Sequence, residues 1–228
     1  MNEKNKWRYL SYLVSDKLSA YRNGPRVELL KCSAIENGDV SNHTAVNTSL
    51  HFGTHIDFPN HFFCDGKTSA DYQPDFFITE KVAIIFIKKL TQPNLLSISD
   101  IDNKISCYTN DIECVLVYTG LCERRHEEAY WNDNIGINTG VALYLRDRFP
   151  QLRYLGFDFM SVSGSNYREL GRVVHKEFFD NDILPIEDMD LSPLRQGDTI
   201  SQLIISPFRV AGAEAAPVTV FGNIYSHD

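Results

Sequence analysis

Short runs of apolar, mostly β-branched residues recur along the chain and predict buried strands. Runs of this length are typical of strands rather than helices, and their continuous apolar character indicates strands that are covered on both faces. The predicted strands are Val82–Ile87, Cys114–Tyr118, Tyr154–Phe157, Ile183–Ile186, Leu203–Ile205 and Val218–Ile224.

Helical patterns alternate with these runs. The first predicted helix is short and ends at Ile105, with Ser99 and Asp100 as candidate N-caps. The second runs from residue 140 to about residue 148, with Thr139 as its candidate cap and Pro150 ending it.

A third predicted helix carries a candidate functional residue. Ser165 or Asn166 is its candidate cap, and His175 lies beside its apolar stripe. The stripe consists of Tyr167, Leu170, Val174 and Phe178. Because strands and helices are mixed along the chain, we expect an α/β layer fold. No repeat or Gly-, Ser- or Pro-rich linker divides the sequence, so we expect one domain over residues 1–228.

Composition and charge narrow the function classes. Hydrophobic residues make up 43% of the chain and charged residues 23%, as in ordinary globular proteins. The net charge of −8 and the lack of any Lys/Arg run argue against a nucleic-acid partner. The polar N-terminus predicts no signal peptide, and the longest apolar run is too short to span a bilayer. We therefore expect a cytoplasmic protein without membrane contact.

The cysteines support the same compartment. There are five, an odd number, and none forms a CxxC pair. We expect them to be reduced thiols, as in a cytoplasmic protein. Cys64 lies three residues after His61 and could approach a site there, but a buried structural thiol is the favoured interpretation.

The densest candidate chemistry lies in the segment HFGTHIDFPNHF, residues 51–62. It holds His51, His55, Asp57 and His61, which include three of the seven histidines of the chain. Imidazole and carboxylate groups are ligands for Zn²⁺, Mn²⁺ and Fe²⁺. A chance cluster of surface histidines is the less favoured alternative, because such density is typical of metal or catalytic sites. The helical zincin pattern HExxH is excluded, since Phe52 follows the first histidine.

An extended strand is the expected frame for this motif. Along a strand the odd-numbered residues from 51 to 59 would share one face, and His61 would continue it. Ligands at positions i, i+4 and i+6 could then converge on a metal. The mostly apolar residues of the other face would pack into the protein; they are Phe52, Thr54, Ile56 and Phe58.

The segment resembles the signature of the cyclase-like metal-dependent hydrolases, the family that includes bacterial kynurenine formamidase. In that family a histidine and a glutamate twelve residues apart complete the site, and His175 and Glu187 stand at this spacing. Two further family segments look like Gly156-Phe157-Asp158 and the C-terminal Gly212-Ala213-Glu214-Ala215-Ala216-Pro217. The resemblance runs from about residue 10 to about residue 220.

The resemblance implies a swivelling β/β/α fold with a mixed sheet, and a homodimer or higher homo-oligomer. It also implies a metal site in which His51, His55 and Asp57 hold one cation, while Asp57, His175 and Glu187 hold or share a second. Zn²⁺ is the expected ion and Mn²⁺ the alternative; the N/O ligand set fits either.

The implied reaction is hydrolysis of a C–N amide bond in a small molecule, with N-formylkynurenine as the first candidate substrate. Metal-activated hydroxide would attack the carbonyl carbon. His61 matches the family histidine that acts as general acid and base, and a free pKa near 7 suits that task. An alternative for His61 is a further metal ligand or a group that orients one.

The substrate-contacting residues are less well indicated. The kynurenine formamidases of this family carry a substrate-contacting tryptophan thirty residues before the first metal histidine, and here that position is Tyr21. Tyrosine could stack on an aryl ring. Arg26 could meet a substrate carboxylate or be an exposed structural charge. Other aromatic residues near the motifs are candidates for pocket walls, namely Phe62, Phe63, Tyr72, Tyr130 and Trp131.

The remaining polar groups are expected on the surface. His43, His126 and His227 lie in polar stretches or at the end of the chain, and residues 124–128 read as a solvated face. Glu177 would face away from His175 on a helix.

Two other functions stay open. One is a hydrolase or cyclase acting on another small cyclic or acyl substrate, in the same superfamily. The other is a non-catalytic scaffold that binds metal, although retention of all six candidate residues counts against it. These six are His51, His55, Asp57, His61, His175 and Glu187.

Overall fold

A computed structural model describes residues 6–20, 24, 26–132, 134–164 and 166–226. The strands in this part of the chain are β1 (Lys6–Tyr9), β2 (Glu28–Ser33), β3 (His43–Asn47), β4 (His55–Asp57), β5 (Ile78–Thr79), β6 (Val82–Phe86), β7 (Leu95–Leu96), β8 (Cys114–Tyr118), β9 (Gly136–Ile137), β10 (Tyr154–Phe157), β11 (Leu184–Glu187), β12 (Thr199–Pro207) and β13 (Ala215–Tyr225). The α-helices are α1 (Ile98–Ile105), α2 (Glu128–Asn132), α3 (Val141–Arg148) and α4 (Arg168–Asp180). All six predicted strands are present, with shifted or extended ends at four of them.

The strands form a large mixed sheet in the order β5-β12-β13-β4-β11-β10-β8-β6, with β1 paired to β13. Strands β11, β10, β8 and β6 are parallel, whereas β4 is antiparallel to both β11 and β13. Strands β5 and β6 end this order on opposite sides, yet only Glu80 and Lys81 separate them along the chain. The sheet therefore curls until its two ends are close, which confirms the predicted α/β fold with a mixed sheet.

Both faces of the sheet are covered. Along β8, Val115 and Val117 pack into a cluster with residues of α1, α3 and α4. Cys114 and Leu116 point the other way, into a second cluster with residues of β4, β11, β12 and β13. Continuous apolar runs are expected for strands buried on both sides. Among the described residues, no helix has the length and apolar character needed to cross a bilayer.

The predicted helices exist, but their N-caps were placed wrongly. Ser97 precedes α1, and its amide and hydroxyl both donate to the Asp100 carboxylate, so Ser99 and Asp100 lie inside the helix. Gly140, with φ +79°, takes the position before α3 that was predicted for Thr139. Tyr167 takes this position before α4 instead of Asn166. Ser165 lies outside the described residues.

The cysteines are all free, as predicted. The favoured interpretation of Cys64 as a buried thiol was wrong, because Cys64 is exposed. The Asn60 side chain contacts the backbone of Cys64 rather than its sulfur, because Asn60 Nδ2 donates to the Cys64 carbonyl oxygen.

Candidate metal centre

The early motif and the distant His175/Glu187 pair come together at β4. His55 and Asp57 are the two ends of this strand, and Glu187 lies opposite His55 in the register of β11. His175 reaches the same point from α4, where it is buried. The backbone pairing alone therefore brings residues 132 positions apart into contact range.

The expected long strand through the motif was wrong. Only residues 55–57 form a strand: Gly53 turns the chain with φ +66°, and Pro59 opens a 3-10 turn, Pro59–His61. The turn at Gly53 is anchored because the Thr54 hydroxyl donates to the Asp188 carbonyl oxygen over 2.6 Å. The apolar side of the motif is buried as predicted, with Phe52, Thr54, Ile56 and Phe58 at most 4% exposed.

Five side chains converge with spacings that suit ligands of one or two cations. His51 Nδ1 lies 3.1 Å from Asp57 Oδ1, and His55 Nε2 lies 3.6 Å from the same oxygen. His55 Nε2 and His175 Nε2 lie 3.3 and 3.4 Å from the two oxygens of Glu187. Ligands about 2.1 Å from a tetrahedral ion are about 3.4 Å apart, so these distances match coordination geometry.

The facing atoms do not satisfy each other. His55 Nε2 and both carboxylate oxygens of Asp57 are buried without a hydrogen-bond partner among the described residues. A buried carboxylate left in this state costs several kcal/mol, roughly, unless a cation or charged donor compensates it. The residues therefore fit a divalent metal.

Each imidazole is aimed by a hydrogen bond on its outer side. His55 Nδ1 lies 2.9 Å from the Gly53 carbonyl oxygen, which leaves Nε2 facing the cluster. His175 Nδ1 lies 2.7 Å from the Gly171 carbonyl oxygen in the same way. Such outer contacts fix the tautomer and the ring orientation of metal-binding histidines.

Glu214 orients the third imidazole. Its carboxylate lies 3.3 Å from His51 Nε2, so Nδ1 of that ring faces Asp57. Glu214 belongs to the C-terminal element Gly212–Pro217, but nothing in the sequence indicates its role. The element itself was the only signal, because Glu214 is far from every other site residue in the sequence.

The imidazoles and carboxylates of the cluster shift one another's pKa values. Burial favours a neutral His55, yet the Glu187 and Asp57 carboxylates raise its pKa to about 9. Burial likewise opposes charge on His175, and the same two carboxylates raise its pKa to about 10. Against the effect of burial, the imidazoles lower the pKa of Glu187 to about 2 and hold that of Asp57 well below its usual range. Protons thus compete with a metal for the same nitrogen atoms.

His61 lies at the edge of this cluster. Its ring centroid is 4.5 Å from that of His51 and 5.9 Å from that of His175. Burial lowers the pKa of His61, so the ring is neutral at pH 7. His61 also groups with His51 and Asp57 as a possible metal-binding trio, while His55 groups with Asp57 and Glu187. This grouping differs from the implied one, in which His51 and His55 share a cation without His61.

A cavity of about 250 Å³ opens above the donors. Its volume is slightly below the ~300–1,000 Å³ that is usual for ligand pockets, which suits a small molecule. Beside the cluster, its walls include Trp131, Met160, Ser161, Arg125 and the segment Phe52–Gly53.

Comparison with known proteins decides the family. A model of the family described as "Putative cyclase" matches residues 8–163, more than half of the 228 residues. The chain belongs to this cyclase family. A cyclase-family relative, the kynurenine formamidase of Sphingopyxis alaskensis, is 30% identical over 196 residues, which cover 85% of this chain and 86% of the relative. The kynurenine formamidase of Bacillus cytotoxicus is 26% identical over 83% of both chains.

The cyclase-family fold is also found among solved structures. Isatin hydrolase A from Labrenzia aggregata matches with a TM-score of 0.76 over 97% of this chain and 94% of that chain, at 18% identity. This likeness shows a shared fold. The predicted family is thus confirmed, and the named relatives are hydrolases.

The residues predicted to contact substrate differ in where they lie relative to the metal pocket of this cyclase-family structure. Tyr21 lies outside the described residues. Arg26 lines a neighbouring cavity that shares Trp131 with the metal pocket. Phe62 stacks on the His175 ring with centroids 4.7 Å apart, so it supports the centre from the side. Phe63, Tyr72 and Tyr130 do not line the metal pocket.

The prediction of a solvated face at residues 124–128 was wrong at Arg125. His126 is exposed as expected, whereas Arg125 is only 5% exposed and pairs with Asp188. His43 is exposed as predicted, and Glu177 stays out of the centre and accepts a hydrogen bond from the Gly140 amide. His227 lies outside the described residues.

Proposed function

We propose that this cyclase-family protein is a metal-dependent hydrolase that cleaves the C–N amide bond of a small molecule, as an arylformamidase does. The observation that carries the proposal is the set of buried, unpartnered donor atoms on His55 and Asp57 at the floor of a small cavity. Relatives named kynurenine formamidase, 26–30% identical, support the reaction class.

The residues proposed to hold the metal are His51, His55, Asp57, His175 and Glu187. Two cations per subunit are favoured because each carboxylate divides its oxygens. Glu187 turns Oε2 toward His55 and Oε1 toward His175. Zn²⁺ is the first candidate and Mn²⁺ the second, since all donors are nitrogen or oxygen. When bound, such a cation polarises a carbonyl group and lowers the pKa of water from ~16 to about 7.

His61 is proposed to move the proton. Its ring is neutral at pH 7 because burial lowers its pKa, so it can accept a proton at the metal edge and return it to the leaving nitrogen. The 4.5 Å separation from the His51 ring places it beside the donors.

N-formylkynurenine, giving kynurenine and formate, is the first candidate substrate. A cyclic amide such as isatin is the second, because Trp131 and Met160 wall the cavity and suit a flat ring. The two differ in whether the cleaved bond lies inside a ring.

Activity assays on metal-free and metal-reconstituted protein distinguish a metal-dependent hydrolase from a non-catalytic scaffold that binds metal. We expect hydrolysis of N-formylkynurenine or isatin only after addition of Zn²⁺ or Mn²⁺, with loss on chelation and recovery on metal return. His126→Ala, an exposed histidine outside the centre, is the matched control and should behave as wild type. Stoichiometric metal binding without hydrolysis of any small amide, lactam or lactone would instead support the non-catalytic scaffold.

Location and assembly belong to the same proposal. Five free cysteines support work in the reducing cytoplasm. Strands β2 and β3 form a separate hairpin whose residues Leu29, Leu30 and Val46 are at least half exposed. Isolated hairpins are marginal in water, which supports packing against a second copy in a homodimer. Size-exclusion chromatography with light scattering tests this, and a monomer at micromolar concentration would contradict it.

A further inference from the structure

Arg125 is held rigidly beside the metal pocket. Its Nε and Nη2 donate to the Asp188 carboxylate over 2.6 to 3.1 Å. Its guanidinium carbon lies 4.6 Å from the ring centroid of Tyr12 and 4.9 Å from that of Trp131. Two aromatic contacts and a bidentate ion pair together fix the plane of the guanidinium group.

The third nitrogen of this guanidinium group, Nη1, does not take part in the ion pair with Asp188. Among the described residues, Nη1 makes no hydrogen bond, although the side chain is about 95% buried. Nη1 is not sealed in the interior, and Arg125 lines the same cavity as the metal donors. Buried donors are normally satisfied, so an unused guanidinium corner in a cavity indicates an acceptor supplied by a ligand.

The charge around Arg125 limits the chemical class of the acceptor. Asp188 already neutralises Arg125, so Nη1 offers a directed donor rather than a free positive charge. A carbonyl-type oxygen meets this requirement without the desolvation cost of an anion.

The backbone between Glu187 and Asp188 also relates the position of this acceptor to the metal donors. Glu187 faces the metal donors and Asp188, the next residue, faces Arg125, with φ +52° turning the backbone between the two directions. The guanidinium corner is therefore tied to the metal centre through adjacent residues.

We propose that Arg125 is a substrate-binding residue whose Nη1 donates to a second carbonyl oxygen, carried by a planar amide next to its scissile group. Both candidate substrates carry such an oxygen, as the ortho-acyl group of N-formylkynurenine or the ring ketone of isatin, so Arg125 is the residue that favours them over simple amides at the pocket walled by Trp131. This inference rests on the proposed amide hydrolysis.

Two formamides that differ only in the acceptor provide the test. 2′-Formamidoacetophenone carries an ortho-acyl oxygen and formanilide lacks it. Arg125→Lys keeps a cation for Asp188 but removes the planar fork. We expect the ratio of kcat/KM for the two substrates to fall ~10- to 100-fold in the variant, the range for a hydrogen bond from a charged donor. Arg124→Lys, an exposed neighbour ion-paired with Glu127, is the matched control and should keep the wild-type ratio.

An unchanged ratio in Arg125→Lys, with both substrates slowed equally or not at all, would overturn the proposal and leave Arg125 a structural residue. Circular dichroism and metal content establish that the variant is folded and loaded.

A binding measurement separates this inference from the proposed reaction. By calorimetry, wild-type protein should bind 2′-aminoacetophenone at least ~10-fold more tightly than aniline, and Arg125→Lys should bind the two alike. If wild type hydrolyses neither formamide but shows this Arg125-dependent preference, the proposed function fails and the recognition role stands. The same preference in both proteins, or none in wild type, would overturn the recognition role.

Discussion

Each imidazole of the centre has one nitrogen engaged outside the cluster and one facing inward. For His55 and His175 the outer partner is a backbone carbonyl oxygen, so the nitrogen proposed to bind the metal is Nε2 in both. His51 is reversed, since Glu214 takes its Nε2. His61 has no such outer hydrogen bond among the described residues, which distinguishes it from the other three and favours a proton-transfer role over ligation.

This distinction predicts different results for two alanine variants. Asp57→Ala should lose metal, because its carboxylate faces all three imidazoles proposed as ligands. His61→Ala should keep its metal and lose ~100- to 10,000-fold in kcat, the usual contribution of a general acid or base. Metal analysis of the purified variants and steady-state kinetics provide both measurements. Equal metal loss in the two variants would show that His61 is a ligand.

At this scale the sequence predicted what residue type and density reveal. Three histidines and an aspartate in eleven residues pointed to a metal, and the 175/187 spacing completed the set through the family resemblance. Arg125 and Asp188 could not be found this way. They are 63 residues apart, and Arg125 stands in a charged stretch typical of a surface.

Helix α4 places His175 in the candidate metal centre because the helix packs very close to the chain segment that precedes it. A Cβ atom at Gly171 would lie 2.0 Å from Ser163 Oγ and 2.5 Å from Ser163 Cα. The Gly171 carbonyl oxygen is also the acceptor for His175 Nδ1. The absence of a side chain at this position therefore sets both the helix position and the direction of the imidazole.

Gly171→Ala is expected to act against ordinary helix propensity. In an exposed helix this change stabilises by about 1 kcal/mol. Here the clash must push α4 outward, so we expect a lower Tm and at least ~10-fold weaker metal binding, since the displaced histidine is a proposed ligand. Calorimetry measures both. Val173→Ala, at a half-exposed position of the same helix, is the control and should leave metal affinity unchanged. A Gly171→Ala protein with raised Tm and wild-type affinity would contradict this account.

Elements were predicted better than their ends. Buried runs such as Cys114–Tyr118 became strands with the predicted bounds, because length and apolar continuity decide that state. The strand predicted over the whole motif was wrong because the alternation of polar and apolar residues does not take account of Gly53 and Pro59. Gly53 has a positive φ that ends the extended conformation, and Pro59 begins a 3-10 turn. The order of strands also escaped prediction, since it depends on pairing between residues far apart in the chain.

For the whole molecule, the pKa values of the centre link stability to pH in a definite direction. His55 and His175 have pKa values raised to about 9 and 10, above the ~6.5 of an unfolded histidine. Their contribution is fully present below pH ~6.5 and is lost as pH rises through 9 to 10. The lowered pKa values of Asp57 and Glu187 act at the other end: their contribution is present above the ~4 of an unfolded carboxyl group and is lost as pH falls below it, for Glu187 through a folded pKa of about 2.

Metal-free protein should therefore lose on the order of 5 °C in Tm between pH 6.5 and pH 10, whereas metal-loaded protein should not, because its ligating imidazoles are already neutral. Metal binding at pH 7.5 should release close to two protons, and fewer as pH approaches 10. Scanning calorimetry, and titration in buffers of different ionisation enthalpy, measure these effects. Parallel pH profiles for the two forms, without proton release, would contradict the assignment of His55 and His175.

Strand β4 has a consequence for how the protein acquires its ion during synthesis. It lies between β11 and β13, and its neighbours supply Glu187 and, just before β13, Glu214. A nascent chain on the ribosome holds the three histidines of the motif long before these partners emerge. The proposed ion pocket exists only after the chain through Glu214 has been made and β4 has paired with β11 and β13, so we expect an ion to bind late in folding rather than to act as a template for its early steps.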